Sequence, residues 1–400
     1  MVLDGAYPND IRVRKEAEYL VEKGKKVLVV CPSKLGLLKC EIINGVNIYR
    51  IGCNYKVWKK GICDIIESVF NVNPFFYFGL IRVFKKYKVD FLHVHDLPLA
   101  GTCFLFKEKV KHKLILDLHE NFPEALKTWF LWRKNKIIIL KNKVFMNPIR
   151  WSEKEQIYCE KYDRIICVVQ EMKNKLIAKF NISPDKLVVI SNHEKKSFQN
   201  YFEKYKSQSV ISNDTFSITY VGGFGPHRGL DTCIKAMPQI VKQIPNVKLY
   251  LIGKGHNDVE NYLKDLVKRE NVDFFVKFIG YKPFEEIPAI MSSSMINVIP
   301  HSSDEHTNNT IPHKLFQIML SEQLLLVSSC KPLKRIVMKY DAGVVFEAGN
   351  HNDFSDKVIS IFKNKKDYSE KIKNAYSAVM DKGENWETEG KKLLKLYEQV

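Results

Sequence analysis

The segment FSITYVGGFGPHRGL, Phe216 to Leu230, carries the strongest indication of architecture. Its first six residues read as a strand and run directly into Gly222, Gly223 and Gly225. Glycine lets a backbone approach a neighbour or a ligand closely. The helix expected next presents unpaired N–H groups, with Arg228 beside them, and that combination suits an anion. Strand, glycine loop and helix form the repeating unit of a parallel α/β sheet.

The same alternation runs through the chain. Strands are expected at 26–30, 91–94, 113–118, 164–169 and 186–190, then at 216–221, 247–252, 275–279, 295–299, 324–327 and 343–346, with helix-length segments between. The fold class is therefore α/β with two Rossmann-like, doubly wound parallel sheets. The polar, aperiodic stretch 197–214 is the expected boundary. It divides the chain into a first domain 1–205 and a second domain 206–375. A C-terminal segment 376–400 is expected to pack back on the first domain, with Leu393, Leu394 and Tyr397 on one face of its helix. "MVL" is short for an opening strand, which suggests a few missing N-terminal residues.

The 400 residues suit two domains. A net charge of +18 points to an acidic partner, or to a lysine-rich background. The nine cysteines show no metal-ligand spacing, the N-terminus does not read as a signal peptide, and no apolar run is long enough for a membrane span. A cytoplasmic protein is expected.

In open parallel sheets, ligands bind beyond the carboxyl ends of the strands. After 247–252 comes GKGHND with Lys254; after 275–279 comes GYKPFEEI; after 295–299 comes PHSSDEHTNNTIPHKLFQIM. The last of these reads as a helix beginning near His306. Pro312, Leu315, Phe316 and Met319 make its buried face, and Thr310, Lys314, Gln317 and Ser321 a polar stripe. In the first half, 91–94 is followed by His95 and Asp96, and 113–118 by His119 and Glu120. A histidine beside a carboxylate suits a polar reacting group.

Taken in order, YVGGFGPHRGLDTCIKAM, LIGKGHN, FIGYKPFEEIPAIM and PHKLFQIM resemble the donor half of family 4 retaining glycosyltransferases. YPNDIRVRKEAEYL, HVHDLP, LDLHENFPEAL and DRIICVV resemble the acceptor half of a bacterial branch. The resemblance implies the GT-B fold, two facing Rossmann-like domains with the active site in the cleft between them. It implies that Gly222, Gly223, Gly225 and Arg228 hold the donor diphosphate. Arg228 stands where the family has a lysine, and Gly223 stands where many members have an arginine, with Lys314 as replacement cation. The family's acidic pair falls on Asn309 and Gln317, with Thr310 and Lys254 nearby. The base would lie against Gly280, Tyr281 and Lys282. His119 would contact the transferred sugar, and Asp10, Arg12, His95, Asp96 and Glu120 would line the acceptor side. No protein nucleophile, cofactor or metal is implied, and no D-x-D sequence occurs.

The expected reaction moves a hexose or N-acetylhexosamine from a UDP-sugar, or a GDP-sugar, to a glycan or lipid-linked acceptor in cell-surface polysaccharide, lipopolysaccharide or capsule synthesis. The alternatives are another GT-B nucleotide-sugar enzyme, such as a 2-epimerase, and a non-catalytic sugar-nucleotide-binding partner. Nucleic-acid binding has only the charge in its favour. The basic, apolar stretches 73–88 and 129–145 suggest peripheral attachment to the inner face of an anionic plasma membrane.

Overall fold

The computed structural model describes residues 1–33, 36–52, 57–129, 131–132, 134–204, 210–212 and 214–398. They divide into two units. The first is Met1–Leu126 with Lys136–Ser191 and Glu389–Val400; the second is Lys127–Asn135 with Asn192–Thr388. The expected change of domain at 205/206 lies outside the described residues, and the units change over at Ser191/Asn192 instead.

The first unit holds β1 (Leu28–Pro32), β2 (Cys40–Ile43), β3 (Val46–Ile51), β4 (Val89–His95), β5 (Val110–Leu118), β6 (Arg164–Cys167) and β7 (Leu187–Val189). The strand orders are β1-β3-β2 and β4-β5-β6-β7, and Val2 bridges β1 and β4 in parallel. Met1–Leu3 therefore lies along the middle, with Val2 N–H donating to His93 O and Leu3 N–H to Val30 O. Among the described strands only β2 is antiparallel, paired with β3 through Asn44 and Gly45. Both turn residues have positive φ, the conformation that an Asn-Gly hairpin turn requires. That hairpin was missing from the strand pattern.

The second unit is one parallel sheet ordered β10-β9-β8-β11-β12-β13. Its strands are β8 (Phe216–Val221), β9 (Val247–Ile252), β10 (Val276–Gly280), β11 (Ile296–Ile299), β12 (Leu324–Ser328) and β13 (Val344–Phe346). Chain order reverses between β8 and β11, the switch point where an open sheet leaves a crevice. Helix Leu230–Gln243 covers this sheet because Cys233, Ile234, Met237 and Ile240 recur at helical spacing, all buried in one core with Ile218, Leu249 and Val298. Truncating one such aliphatic side chain to Ala typically costs about 2–5 kcal/mol.

Two expectations are corrected. The helix read from His306 begins at Lys314 and ends at Leu320, preceded by a 3₁₀ turn at Thr307–Asn309. Thr307 and Asn309 bond to their own turn, at Ser302 O and Glu305 O, and that local bonding competes with a helix. Pro312 and Thr310 thus lie outside the helix, and the four-residue polar stripe does not exist. The second correction concerns the aromatics of 129–145. Trp132 stacks on Tyr262 at 4.3 Å and Trp129 meets His306 edge-on, so both half-buried rings have partners within the second unit. Phe130 and Arg133 lie outside the described residues. In the other stretch, helix Pro74–Lys86 buries Phe76, Gly79, Leu80 and Val83 and keeps Arg82, Lys85 and Lys86 outward.

Candidate functional site

At the switch point of the second unit, three loops bring basic groups together. Gly222, at φ 144°, leaves β8 in a conformation that side chains rarely adopt. A Cβ on it would sit 3.3 Å from the Lys314 ammonium, and a Cβ on Gly223 would meet nothing closer than 3.8 Å. Gly229, at φ 65°, lets the start of helix Leu230–Gln243 approach the chain leaving β11; a Cβ there would fall 1.8 Å from Pro300 O. Arg228 and His301 are thereby joined, Nη1 donating to Nε2 at 3.0 Å.

Lys314 lies over the Tyr220 ring, 3.9 Å from its centroid, and its ammonium donates a long bond to Val221 O at 3.4 Å. Burial, and then the charge of Arg228, hold its pKa well below the usual lysine value. Burial and the same two cations keep His301 neutral, and burial with Arg228 pushes His227 down to about 2. Among the described residues no carboxylate pairs with Arg228 or Lys314. Two basic side chains brought together without a carboxylate partner, one of them with its proton affinity depressed, suit an external anion. Each charge-assisted hydrogen bond to it is worth about 1.5–3 kcal/mol.

The remaining donor-side residues divide. Gly225 starts the 3₁₀ turn that carries Arg228, and Lys254 is exposed on the adjoining loop, its carbonyl receiving Phe224 N–H. Gly280, at φ 82°, has open space around it, and the Tyr281 ring beside it is exposed. Asn309 and Gln317 are buried and already engaged. Asn309 Nδ2 donates to Glu305 O at 2.7 Å, and Gln317 Nε2 to Glu194 Oε2 at 2.8 Å. Their amides bind carboxylate-bearing residues of the protein, so the expected polar row facing the ligand reduces to Lys314. Thr310 is extended and half-buried.

The first unit carries a different cluster at the carboxyl ends of β4 and β5. Residues two apart on a strand share a face, so His93 and His95 point alongside Asp117 and His119. Arg12 clamps Asp117 with Nη2 to Oδ1 and Nε to Oδ2, both at 2.9 Å, and reaches Glu16 at 3.1 Å. Despite burial, Arg12 and then His119 hold the Asp117 carboxyl well below its usual range. Burial next to Asp117 lifts Glu16 to about 8. Burial lowers His95 strongly, leaving its neutral ring 3.1 Å from His119 Nε2.

His119 sits at the exposed end of this network. Its Nε2 lies 3.2 Å from Asp117 Oδ2 and its Nδ1 3.3 Å from Asp96 Oδ2. Burial opposes its charge, but Asp96 and Asp117 outweigh it and raise the pKa to about 10. His119 is therefore an imidazolium at neutral pH. Asp96 is held at φ 67°, ψ 157°, a region nearly reserved for glycine, at a cost of order 1–3 kcal/mol. Its carboxylate accepts the backbone N–H of His119.

The structure thus brings His95, Asp96 and His119 together but removes Arg12 and His95 from the acceptor side, because both are buried in ion pairs and ring contacts. Asp10 caps helix Ile11–Glu22 by accepting Val13 N–H. Glu120 is partly exposed after β5. Sequence reasoning missed Asp117, His93 and Glu16. The H-x-H and D-x-H spacing was the available signal for the first two. The Glu16, His93, His95 and Asp117 donor atoms lie within 4.8 Å of one another. Arg12 already holds both Asp117 oxygens, so this set does not fit a divalent cation without displacing the guanidinium.

Residues 11–193 match the family described as Glycosyltransferase Family 4, and residues 201–378 match Glycosyl transferases group 1. The uncharacterized glycosyltransferase MJ1607 of Methanocaldococcus jannaschii is 25% identical over 296 residues, 71% of this chain and 68% of the relative. The phosphatidylinositol N-acetylglucosaminyltransferase GPI3 subunit of Saccharomyces cerevisiae is 20% identical over 300 residues, 73% of this chain and 60% of the relative. Among solved structures, sucrose-phosphate synthase of Thermosynechococcus elongatus aligns with a TM-score of 0.78 at 17% identity, over 99% of this chain and 94% of that one. Anabaena Alr3699/HepE in complex with UDP-glucose aligns at 0.74 and 12% identity, over 100% and 98%. The fold is GT-B.

Proposed function

We propose that this chain, a glycosyltransferase of the GT-B type, transfers a hexosyl or N-acetylhexosaminyl group with retention from a nucleoside-diphosphate sugar to a glycan or lipid-linked glycan. The single observation that carries the donor class is the uncompensated Arg228–Lys314 pair at the switch point. A diphosphate supplies the counter-charge, and two fixed cations neutralise the leaving group without a metal. UDP is the favoured nucleotide, in keeping with the UDP-glucose bound to the Anabaena neighbour; GDP is the alternative.

The charged ring of His119 acts on the departing phosphate through its field. Asp96 and Asp117 face its two nitrogens, hold it in position and keep it protonated. It is thus an electrostatic stabiliser and not a base, and the leaving phosphate takes the acceptor's proton. A lipid-linked acceptor, at the inner membrane face in envelope polysaccharide synthesis, accords with the phosphatidylinositol acceptor named for the yeast relative. No described helix is long and apolar enough to cross a membrane, so attachment is peripheral in this reading.

The engaged amides of Asn309 and Gln317 favour one rival, a sugar-nucleotide binder without turnover. Thermal-shift screening of UDP-, GDP-, ADP- and CMP-sugars, followed by donor hydrolysis and transfer assays, separates the two. At about 100 times its dissociation constant a ligand stabilises by about 2.7 kcal/mol. Stabilisation by none of the four would refute the donor class, and stabilisation without transfer to any glycan would favour the rival.

A further inference from the structure

Two neighbouring helices of the first unit are inside-out. Helix Val57–Phe70 buries Cys63, Glu67 and Ser68, yet exposes Ile62, Val69 and Phe70, with Ile65 and Ile66 half-buried on the same line. The spacing 62, 65, 66, 69 is that of one helical face. Helix Lys136–Phe145 keeps Lys141 and Asn142 half-buried and exposes Ile139, Leu140 and Val144, again at helical spacing. Phe70 is 69% exposed and Leu140 64%. A water-facing helix normally shows the opposite pattern.

The two helices are held side by side. Ser68 Oγ donates to Phe145 O, and the Lys141 ammonium lies 3.7 Å from where a Cβ on Gly61 would stand. Lys154 ties down the end of the first helix through Glu67 O and Ser68 O. The buried polar groups of helix Val57–Phe70 are thus answered inside: Asn73 Nδ2 donates to Glu67 Oε2 at 3.1 Å. The apolar side is fixed outward by these bonds and amounts to an exposed patch of a kind that marks interaction sites.

Charge selects the occupant. From Leu131 to Arg150 the sequence has Arg133, Lys134, Lys136, Lys141, Lys143 and Arg150 and no acidic residue. Of these, Lys136, Lys143 and Arg150 are exposed on the same unit as the patch. A second copy would present the same positive rim and be repelled. A ten-residue helix is about 15 Å long, half of a bilayer's hydrocarbon core, so it can lie in an interface but not span it.

We infer that helices Val57–Phe70 and Lys136–Phe145 together form a docking face for the headgroup region of an anionic bilayer. The aliphatic side chains enter the acyl boundary and the lysines meet the lipid charge. This deepens the membrane part of the proposed function and replaces the aromatic-basic segments read from sequence.

The experiment is co-sedimentation of the full chain with vesicles of phosphatidylcholine alone and with about one third phosphatidylglycerol, alongside the UDP-induced thermal shift. Wild type should bind the anionic vesicles, and raising salt from about 50 to about 500 mM should weaken binding about tenfold or more as screening shortens. Ile139→Ser/Leu140→Ser/Val144→Ser should lose about tenfold or more at low salt, and Phe70→Ser, on the other helix, should lose several-fold, since buried apolar area sets interfacial affinity. Both variants should keep the UDP shift. Equal binding to neutral vesicles, unchanged binding by both variants, or a dimer that the triple variant dissolves would overturn the inference. A missing UDP shift in wild type would instead refute the donor assignment and leave the vesicle result standing.

Discussion

The two polar clusters of this protein are built on opposite electrostatic principles. In the first unit the charges of the cluster are answered: Arg12 by Asp117, and His119 by Asp96 and Asp117. In the second, Arg228 and Lys314 lie near the neutral His227 and His301 and have no carboxylate partner among the described residues. A balanced cluster needs no counter-charge from outside and holds its members in position. An unbalanced one costs the empty protein stability and recovers it when an anion arrives. The difference separates positioning from binding more sharply than exposure does, because both clusters are mostly buried.

The largest effect should come from unbalancing the balanced site. Arg12→Ala leaves Asp117 buried beside Glu16 without its cation, and breaking such a pair costs about 3–5 kcal/mol. Denaturant unfolding should show that loss, whereas Arg228→Ala should unfold at or above the wild-type midpoint. Equal losses in the two variants would erase the distinction between the clusters. Next comes His119→Ala, which removes the cation at the exposed end of the first cluster. Turnover should fall about a hundredfold or more while UDP affinity changes little, since removing a group that stabilises developing charge has effects of that size. Turnover within about threefold of wild type, below about 1 kcal/mol of barrier, would remove His119 from the chemistry.

A smaller effect should follow from relieving the unbalanced site. Lys314→Met keeps the aliphatic stem over Tyr220 and deletes the uncompensated charge. In the absence of nucleotide its melting temperature should rise by a few degrees, the response of a domain of this size to about 1 kcal/mol. A fall would mean that the ammonium already has its counter-charge.

The last effect is a pH slope. His119 titrates near 6.5 unfolded and about 10 folded, so its stabilisation is complete below pH 6.5 and disappears as pH rises through 10. Glu16 moves from 4.5 to about 8, so its contribution is complete below pH 4.5 and is lost by pH 8. Both make the protein less stable towards alkali. Glu16→Gln should flatten the part between pH 4.5 and 8, and His119→Asn the part between 6.5 and 10, in melting curves taken across that range. An unchanged slope in both would show that the first cluster does not titrate as a unit.

How legible these features were in the sequence depends on the range of the interactions. Strands β8 and β9 fall on the residues expected from their apolar runs, and the glycine loop after β8 is where local chemistry placed it. The β2–β3 hairpin carried its signal in Asn44-Gly45, but β2 is short and half-exposed, and Asn47 and Arg50 interrupt the apolar residues of β3. The helix at Lys314 was read eight residues early because the side-chain bonds of Thr307 and Asn309 stabilise a turn that the apolar spacing of the segment does not register. Gln317 was assigned to the ligand because Glu194, 123 residues away, gives no sign of itself in the local pattern. The charge of His119 likewise depends on Asp96, which only the β4–β5 pairing brings beside it. The inside-out helix Val57–Phe70 is plain only once Glu67 and Ser68 are seen facing inward.

The claim on which the rest depends is that the Arg228–Lys314 pair takes the donor diphosphate. Calorimetric titration of UDP and of uridine into wild type, Arg228→Ala and Lys314→Met tests it directly. In wild type UDP should bind far more tightly than uridine. Each substitution should weaken UDP by about tenfold or more, the loss of a charge-assisted contact worth about 1.5–3 kcal/mol, and leave uridine unchanged. Wild-type UDP affinity in both variants, or an equal loss of UDP and uridine, would contradict the account.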